Sequence, residues 1–154
     1  GISGIRAAEL LVGTAVFKQV PVPALQRICA LLCESGRACR ILYKPGSEVF
    51  HQGDAGDTLY VVESGHLEVT VQDRGKEKRL SYLGPGDFFG EMAVLGDRRR
   101  TATVRAMTDV SLLALQEQAV TTLLREFPSA TSIMLGIMVE RQSDLAGLGL
   151  NIAA

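Results

Sequence analysis

The apolar positions of this chain change period twice. Residues 6–16, RAAELLVGTAV, repeat at helical spacing, and so does the stretch from Pro23 to Glu34, which sets Leu25, Ile28, Leu31 and Leu32 on one face. Pro23 suits a first helical turn, where its missing N–H costs nothing. Between about residues 36 and 116 the runs are short, rich in β-formers and cut by Pro-Gly, Gly-Asp, Ser-Gly, Arg-Gly and Gly-Pro-Gly. The clearest is HLEVTV at 66–71, where Leu67, Val69 and Val71 face one way and His66, Glu68 and Thr70 the other. TATVRAM and DVSLLALQ supply two more strands, and DRGKEK reads as a charged hairpin tip. After Leu115 the helical period returns in EQAVTTLLREF, ended by Pro128, and in SATSIMLGIMVERQSDLAGL. The order predicts an α+β domain: N-terminal helices at about 6–35, a jelly-roll barrel of about eight strands, and two C-terminal helices at about 117–148.

Composition narrows the function. The chain has 154 residues, 47% hydrophobic, enough for one domain with a normal core. A formal net charge of −1 and an isoelectric point near 6.2 argue against nucleic acid or an anionic membrane as the main partner. No apolar run approaches the ~20 residues of a membrane span. No signal peptide is evident, and the chain begins without methionine, as an excised fragment would. Cys29, Cys33 and Cys39 are an odd number without a secretory signal, which favours a reducing compartment. Cys29 and Cys33 fall one helical turn apart, spacing that a shared metal could use, but read as small apolar helix residues, and His51 and His66 lack the neighbours of a metal site. Two isolated histidines cannot build the facial triad of a jelly-roll oxygenase, and no Ser-His-Asp or Cys-His arrangement is evident. The expected domain is a receptor rather than an enzyme.

The stretch DFFGEMAVLGDRRRTATVRA, residues 87–106, carries the chemistry. Gly90 permits a backbone angle that other residues resist. EMAVL makes about one helical turn, whose first N–H groups attract an anion. Glu91 in that turn either complements the helix dipole or, turned inward, accepts hydrogen bonds from a hydroxyl. An arginine returning nearby offers a bidentate fork for phosphate. Anion cradle, hydroxyl acceptor and fork together describe a site for a phosphorylated sugar.

FGEMAVLGDRRRTATVRA closely resembles the phosphate-binding cassette of cyclic nucleotide-binding domains, F-G-E-x-A-x-L followed by R-[TSA]-A-[TS]-V. YKPGSEVFHQGDAGDTLYVVESGHLEV resembles the same family's glycine-punctuated strands, and the likeness covers roughly residues 8 to 150. It implies cAMP or cGMP as the ligand and no other cofactor. Glu91 would hold the ribose 2′-hydroxyl, while Gly90, Met92 and Ala93 would present backbone to phosphate and ribose. Arg100 would neutralise the cyclic phosphate. Thr101 would reach the phosphate and the 2-amino group of a syn guanine, with the small Ala102 beside it. Val69, Leu83 and Phe89 would form the apolar wall against the base. Arg98 and Arg99 read as solvated loop charges.

In the last helix Met134, Met138, Leu145 and Leu148 form a stripe joined by Ile137, with Arg141 where an apolar residue is expected. Arg141 either snorkels to water at the helix edge or, as the resemblance implies, lies over the purine while Leu145 packs on it, the helix acting as a lid. At the Leu145 position rod-type channel subunits have an acidic residue that favours cGMP; here Asp144 lies one place earlier, about 100° away. LREFPSATSIML and GLGLNIAA resemble the tails of cyclic nucleotide-gated channels. The expected parent is therefore a cyclic nucleotide-gated or hyperpolarisation-activated channel, with this domain at the cytoplasmic face beside the pore domain and sister subunits. The alternative is the sensor module of a transcription regulator or of a cyclic nucleotide-dependent protein kinase.

Overall fold

The computed structural model describes residues 1–96 and 98–147, with the side chains of Ala93 and Leu95 left out; Leu148 and the closing residues 149–154 lie outside it. Helices α1 (Gly4–Val12) and α2 (Val22–Glu34) lead into eight strands. These are β1 (Ala38–Tyr43), β2 (Glu48–Phe50), β3 (Thr58–Ser64), β4 (Leu67–Asp73), β5 (Lys76–Leu83), β6 (Phe88–Phe89), β7 (Thr103–Ala106) and β8 (Val110–Gln116). The short helix α3 (Glu91–Leu95) interrupts them between β6 and β7, and α4 (Glu117–Glu126) and α5 (Pro128–Gly147) follow. Two antiparallel four-stranded sheets, ordered β1-β8-β3-β6 and β2-β7-β4-β5, make the jelly roll that the alternation predicts.

The first helix stops four residues short of its sequence-based end. The Thr14 hydroxyl donates to Leu11 O at 2.6 Å and accepts from Phe17 N, replacing the next helical bonds with a side-chain turn. In α2 the buried face is Leu25, Cys29 and Leu32, whereas Leu31, expected inside, is 63% exposed. Cys29 thus serves as a core residue, and burial pushes its thiol up to about 12. Phe127 leaves helical geometry because a proline follows, and Pro128 then starts α5.

Strand β4 departs from strict alternation. The β4–β5 register shifts between Val69 and Thr70, so Thr70 and Val71 are both buried and Val69 is half-buried. The shift leaves Leu80 as an extra residue, because Val69 pairs with Ser81 and Thr70 with Arg79. Leu80 packs beside Val71, Ala102 and Leu145, which joins the sheet to α5. No helix of the described residues is long and apolar enough to cross a membrane.

Candidate functional site

The kink in β4–β5, the α3 turn and the end of α5 enclose a cavity of about 350 Å³. Every site residue expected from the sequence lines it except Ala93, which lies within α3.

Gly90 sits at φ 90°, ψ 3°, at the N-terminus of α3. A side chain there is unfavourable twice over. The backbone angle is left-handed, and a Cβ would stand 2.8 Å from both Arg100 Nη1 and Thr58 O. This close approach lets Arg100 fold inward. Arg100 Nη1 donates to Gly90 O at 3.1 Å and Nη2 to Thr58 O at 3.0 Å. Its residue is only 5% exposed, and Nε is buried without a hydrogen-bond partner among the described residues. Burial pulls the guanidinium below its ordinary value, offset in part by Tyr60 and by the carboxylates of Asp57 and Glu91. Those carboxylates lie beyond ion-pair distance, so the buried cation has no bonded counter-ion among the described residues.

Glu91 opens α3 and is 2% exposed, turned inward rather than set out as a dipole complement. Its Oε1 accepts from Arg141 Nη1 of α5 at 2.5 Å, and Arg141 Nη2 donates to Phe88 O at 2.8 Å. The Arg141 guanidinium also lies 4.7 Å from the Phe88 ring centre. Arg141 thus does not snorkel freely to water: it lines the cavity and clasps Glu91. A signal for that pairing existed only in composition, as an inward acid and a misplaced arginine 50 residues apart.

Leu83 and Phe89 are buried in the barrel core and also face the cavity, and the half-buried Val69 packs against the same cluster and lines the cavity with them. Thr101 Oγ1 lies 3.6 Å from Met92 Sδ at the rim. On α5, Met134, Met138 and Leu145 are buried as the stripe requires, and Leu145 seats on Val71 and Ala102. Asp144, one place before Leu145 on α5, lines the cavity beside it. Phe50, Arg79, Leu80, Ser81 and Val104 also line it and were missed. Leu80 and Ser81 depend on the register shift, and Phe50 read as ordinary strand.

Arg98 and Arg99 are not merely solvated. Arg98 forks onto Glu117 of α4, holding that carboxyl below its usual range, and Arg99 Nη1 donates to Gly53 O at 3.0 Å. They fasten the loop that delivers Arg100.

The profile of the cyclic nucleotide-binding domain matches residues 40–127. This chain belongs to the cyclic nucleotide-binding domain family. A cyclic AMP receptor protein of Thermus thermophilus is 37% identical over 103 residues, 66% of this chain and 48% of the receptor. A cAMP-dependent protein kinase regulatory subunit of Blastocladiella emersonii is 38% identical over 85 residues, 54% of this chain and 21% of that subunit. The solved structure of the Thermus thermophilus catabolite activator protein superposes with a TM-score of 0.72 at 30% identity, covering 85% of this chain and 59% of that one. The cyclic nucleotide-binding domain here therefore spans about half or less of the curated relatives it matches. Those relatives fall in the two alternative classes, regulator and kinase subunit, and not in the channel class put first on the sequence.

Proposed function

We propose that this chain is the cyclic nucleotide sensor of a larger regulatory protein, of the receptor or kinase-regulatory kind, and that it takes cAMP into the cavity between α3 and α5. The observation that carries the reading is Arg100: a buried guanidinium with an unpartnered Nε and no bonded carboxylate is destabilised until an anion reaches it. The cyclic phosphate is that anion. Glu91 accepts the ribose 2′-hydroxyl on the oxygen that Arg141 leaves available, and Val69, Leu83 and Leu145 cover the base. The cyclic AMP receptor protein and the cAMP-dependent kinase subunit to which the chain is similar favour cAMP, as does an apolar Leu145 in place of an acid.

Signalling follows from where the contacts originate. Arg100 and Glu91 belong to the barrel, whereas Arg141 and Leu145 arrive on α5. A ligand shifts a two-state equilibrium only by its differential affinity for the states. Contacts shared with α5 therefore couple occupancy to the helix, and contacts within the barrel mostly set affinity.

Calorimetric titration with cAMP and cGMP, repeated on Arg100→Ala, tests this. Micromolar or tighter binding is expected, weakened in the variant by about 2–5 kcal/mol, the cost of truncating one side of a desolvated charge pair. Binding of neither nucleotide would remove the reading. An Arg100→Ala domain as tight as wild type would remove the phosphate role.

A further inference from the structure

The family motif names the arginine but not what holds it. The main chain of Arg100 is clasped by the loop between β2 and β3: Gly53 N donates to Arg100 O and Arg100 N to Asp54 O, both at 2.8 Å. The side chain then runs back along the same loop. Its Cζ lies 4.1 Å from the centre of the Phe50 ring and 5.9 Å from that of Tyr60. Phe50 is itself fixed by Tyr60 and Phe89, with ring centres at 6.1 Å and 5.8 Å, and by pairing with Val104 of β7. On the other side the chain narrows to Gly56. A Cβ at that position would stand 2.2 Å from Arg100 Nε and 2.5 Å from Cζ. The guanidinium is therefore held between an aromatic ring and a bare backbone, with its two Nη atoms tied to main-chain oxygens.

We propose that Phe50 is a positioning residue for Arg100: its ring seats the buried guanidinium, and Gly56 keeps open the space the charge occupies. The proposal rests on the phosphate role given to Arg100 above and deepens it. A buried arginine without a counter-ion tends to swing toward water. The negative face of an aromatic ring stabilises it where no carboxylate can stand without competing for the site. Such preorganisation leaves the cation aimed at the anion before ligand arrives, so no reorganisation is spent on binding. A carboxylate at position 50 would hold the guanidinium more strongly and neutralise it.

The test is calorimetric titration of the whole domain with cAMP and with cGMP, on wild type, Phe50→Leu, Phe50→Tyr, Gly56→Ala and Arg100→Ala, with thermal melts to report folding. Phe50→Leu keeps an apolar residue and removes the ring, and a loss of roughly tenfold is expected, between the worth of an exposed and of a fully desolvated cation–π contact. Phe50→Tyr recovers most of the affinity. Gly56→Ala, at a position outside the cavity lining, lowers affinity at least as much as Phe50→Leu because it displaces Nε. In the Arg100→Ala background, Phe50→Leu adds no further loss.

Wild-type binding with strong loss in Arg100→Ala, but full affinity in both Phe50→Leu and Gly56→Ala, would overturn the positioning role and leave the proposed function standing. A Phe50→Leu loss that persists undiminished beside Arg100→Ala would make Phe50 a direct ligand contact and overturn it equally. Where Arg100→Ala binds too weakly to measure, or Phe50→Leu fails to fold, Gly56→Ala decides. Wild type that binds neither nucleotide would remove the function and the proposal together.

Discussion

Two inward-turned glutamates each meet arginine in this molecule, and they differ in what is left over. Glu63, near the end of β3, is saturated. Its Oε1 accepts from Arg40 Nε at 2.8 Å and Ser111 Oγ at 2.6 Å, and its Oε2 from Arg40 Nη2 at 2.8 Å and Arg6 Nε at 3.0 Å. That one carboxylate ties α1, β1, β3 and β8 together. Glu91 has one side-chain partner among the described residues, Arg141, and faces a cavity. A carboxylate with all its acceptor sites filled is a fastening, and one with a site left facing a cavity can serve a ligand. The same residue type thus divides into structure and recognition through the count of donors around it.

The comparison breaks most visibly if Glu63 proves dispensable. Its neighbours, Arg40 first, hold the carboxyl well below the usual 4.5, at about 2. A depressed folded pKa gives stability that is present above the unfolded value and lost as pH falls from about 4.5 through about 2. The side chain is 12% exposed, so a shift of this size corresponds to on the order of 3 kcal/mol at neutral pH. Glu63→Gln should lose stability of that order in urea denaturation at pH 7, with cAMP affinity unchanged in the folded domain. Its stability should converge on wild type only as both are acidified through about pH 2, the folded value. Equal stability at neutral pH would show the cluster to be decoration.

Glu91→Gln should give the reverse. A lost charge-assisted hydrogen bond is worth roughly 1.5–3 kcal/mol, so cAMP affinity should fall about 10- to 100-fold, while melting changes little. Calorimetry and a thermal melt on the same sample read both. A variant that melted early yet bound normally would place Glu91 with Glu63 as a fastening.

What the sequence made legible was local. The cassette could be read because Gly90, Glu91, Arg100 and Thr101 fall within a dozen residues, and the β-barrel because short β-rich runs are cut by glycine turns, although the strict alternation expected over 66–71 fails at Val69 and Thr70. What stayed hidden was pairing across the chain. Phe50 reaches Arg100, Glu91 reaches Arg141, and Arg98 reaches Glu117, none of them announced by periodicity. The register shift at Val69 and Thr70 was equally silent, since a one-residue bulge preserves composition while redirecting Leu80 toward α5. Leu31 shows the converse error: helical spacing put it inside, but Cys29 and Leu32 fill the face that meets the barrel.

Among the variants expected to weaken binding, the smallest loss belongs to Arg141→Ala. Its side chain is 32% exposed against 3% for Glu91, so the pair is only half desolvated and its loss is cushioned by water on one side. Removing Arg141 also frees Glu91 Oε1 for a second hydroxyl contact, which opposes the loss of the lid contact. Arg141→Ala should therefore weaken cAMP binding by only about 1 kcal/mol, some fivefold. Movement of α5 should suffer more. A distance probe between α5 and β4, read with and without cAMP, should show the helix less firmly seated in the variant at saturating ligand. If the helix closes as in wild type, Arg141 is a surface tether and Leu145, seated on Val71 and Ala102, carries the coupling alone. If affinity collapses with closure, Glu91 without Arg141 is no longer held in place, and the acceptor depends on the lid as much as Glu63 depends on Arg40.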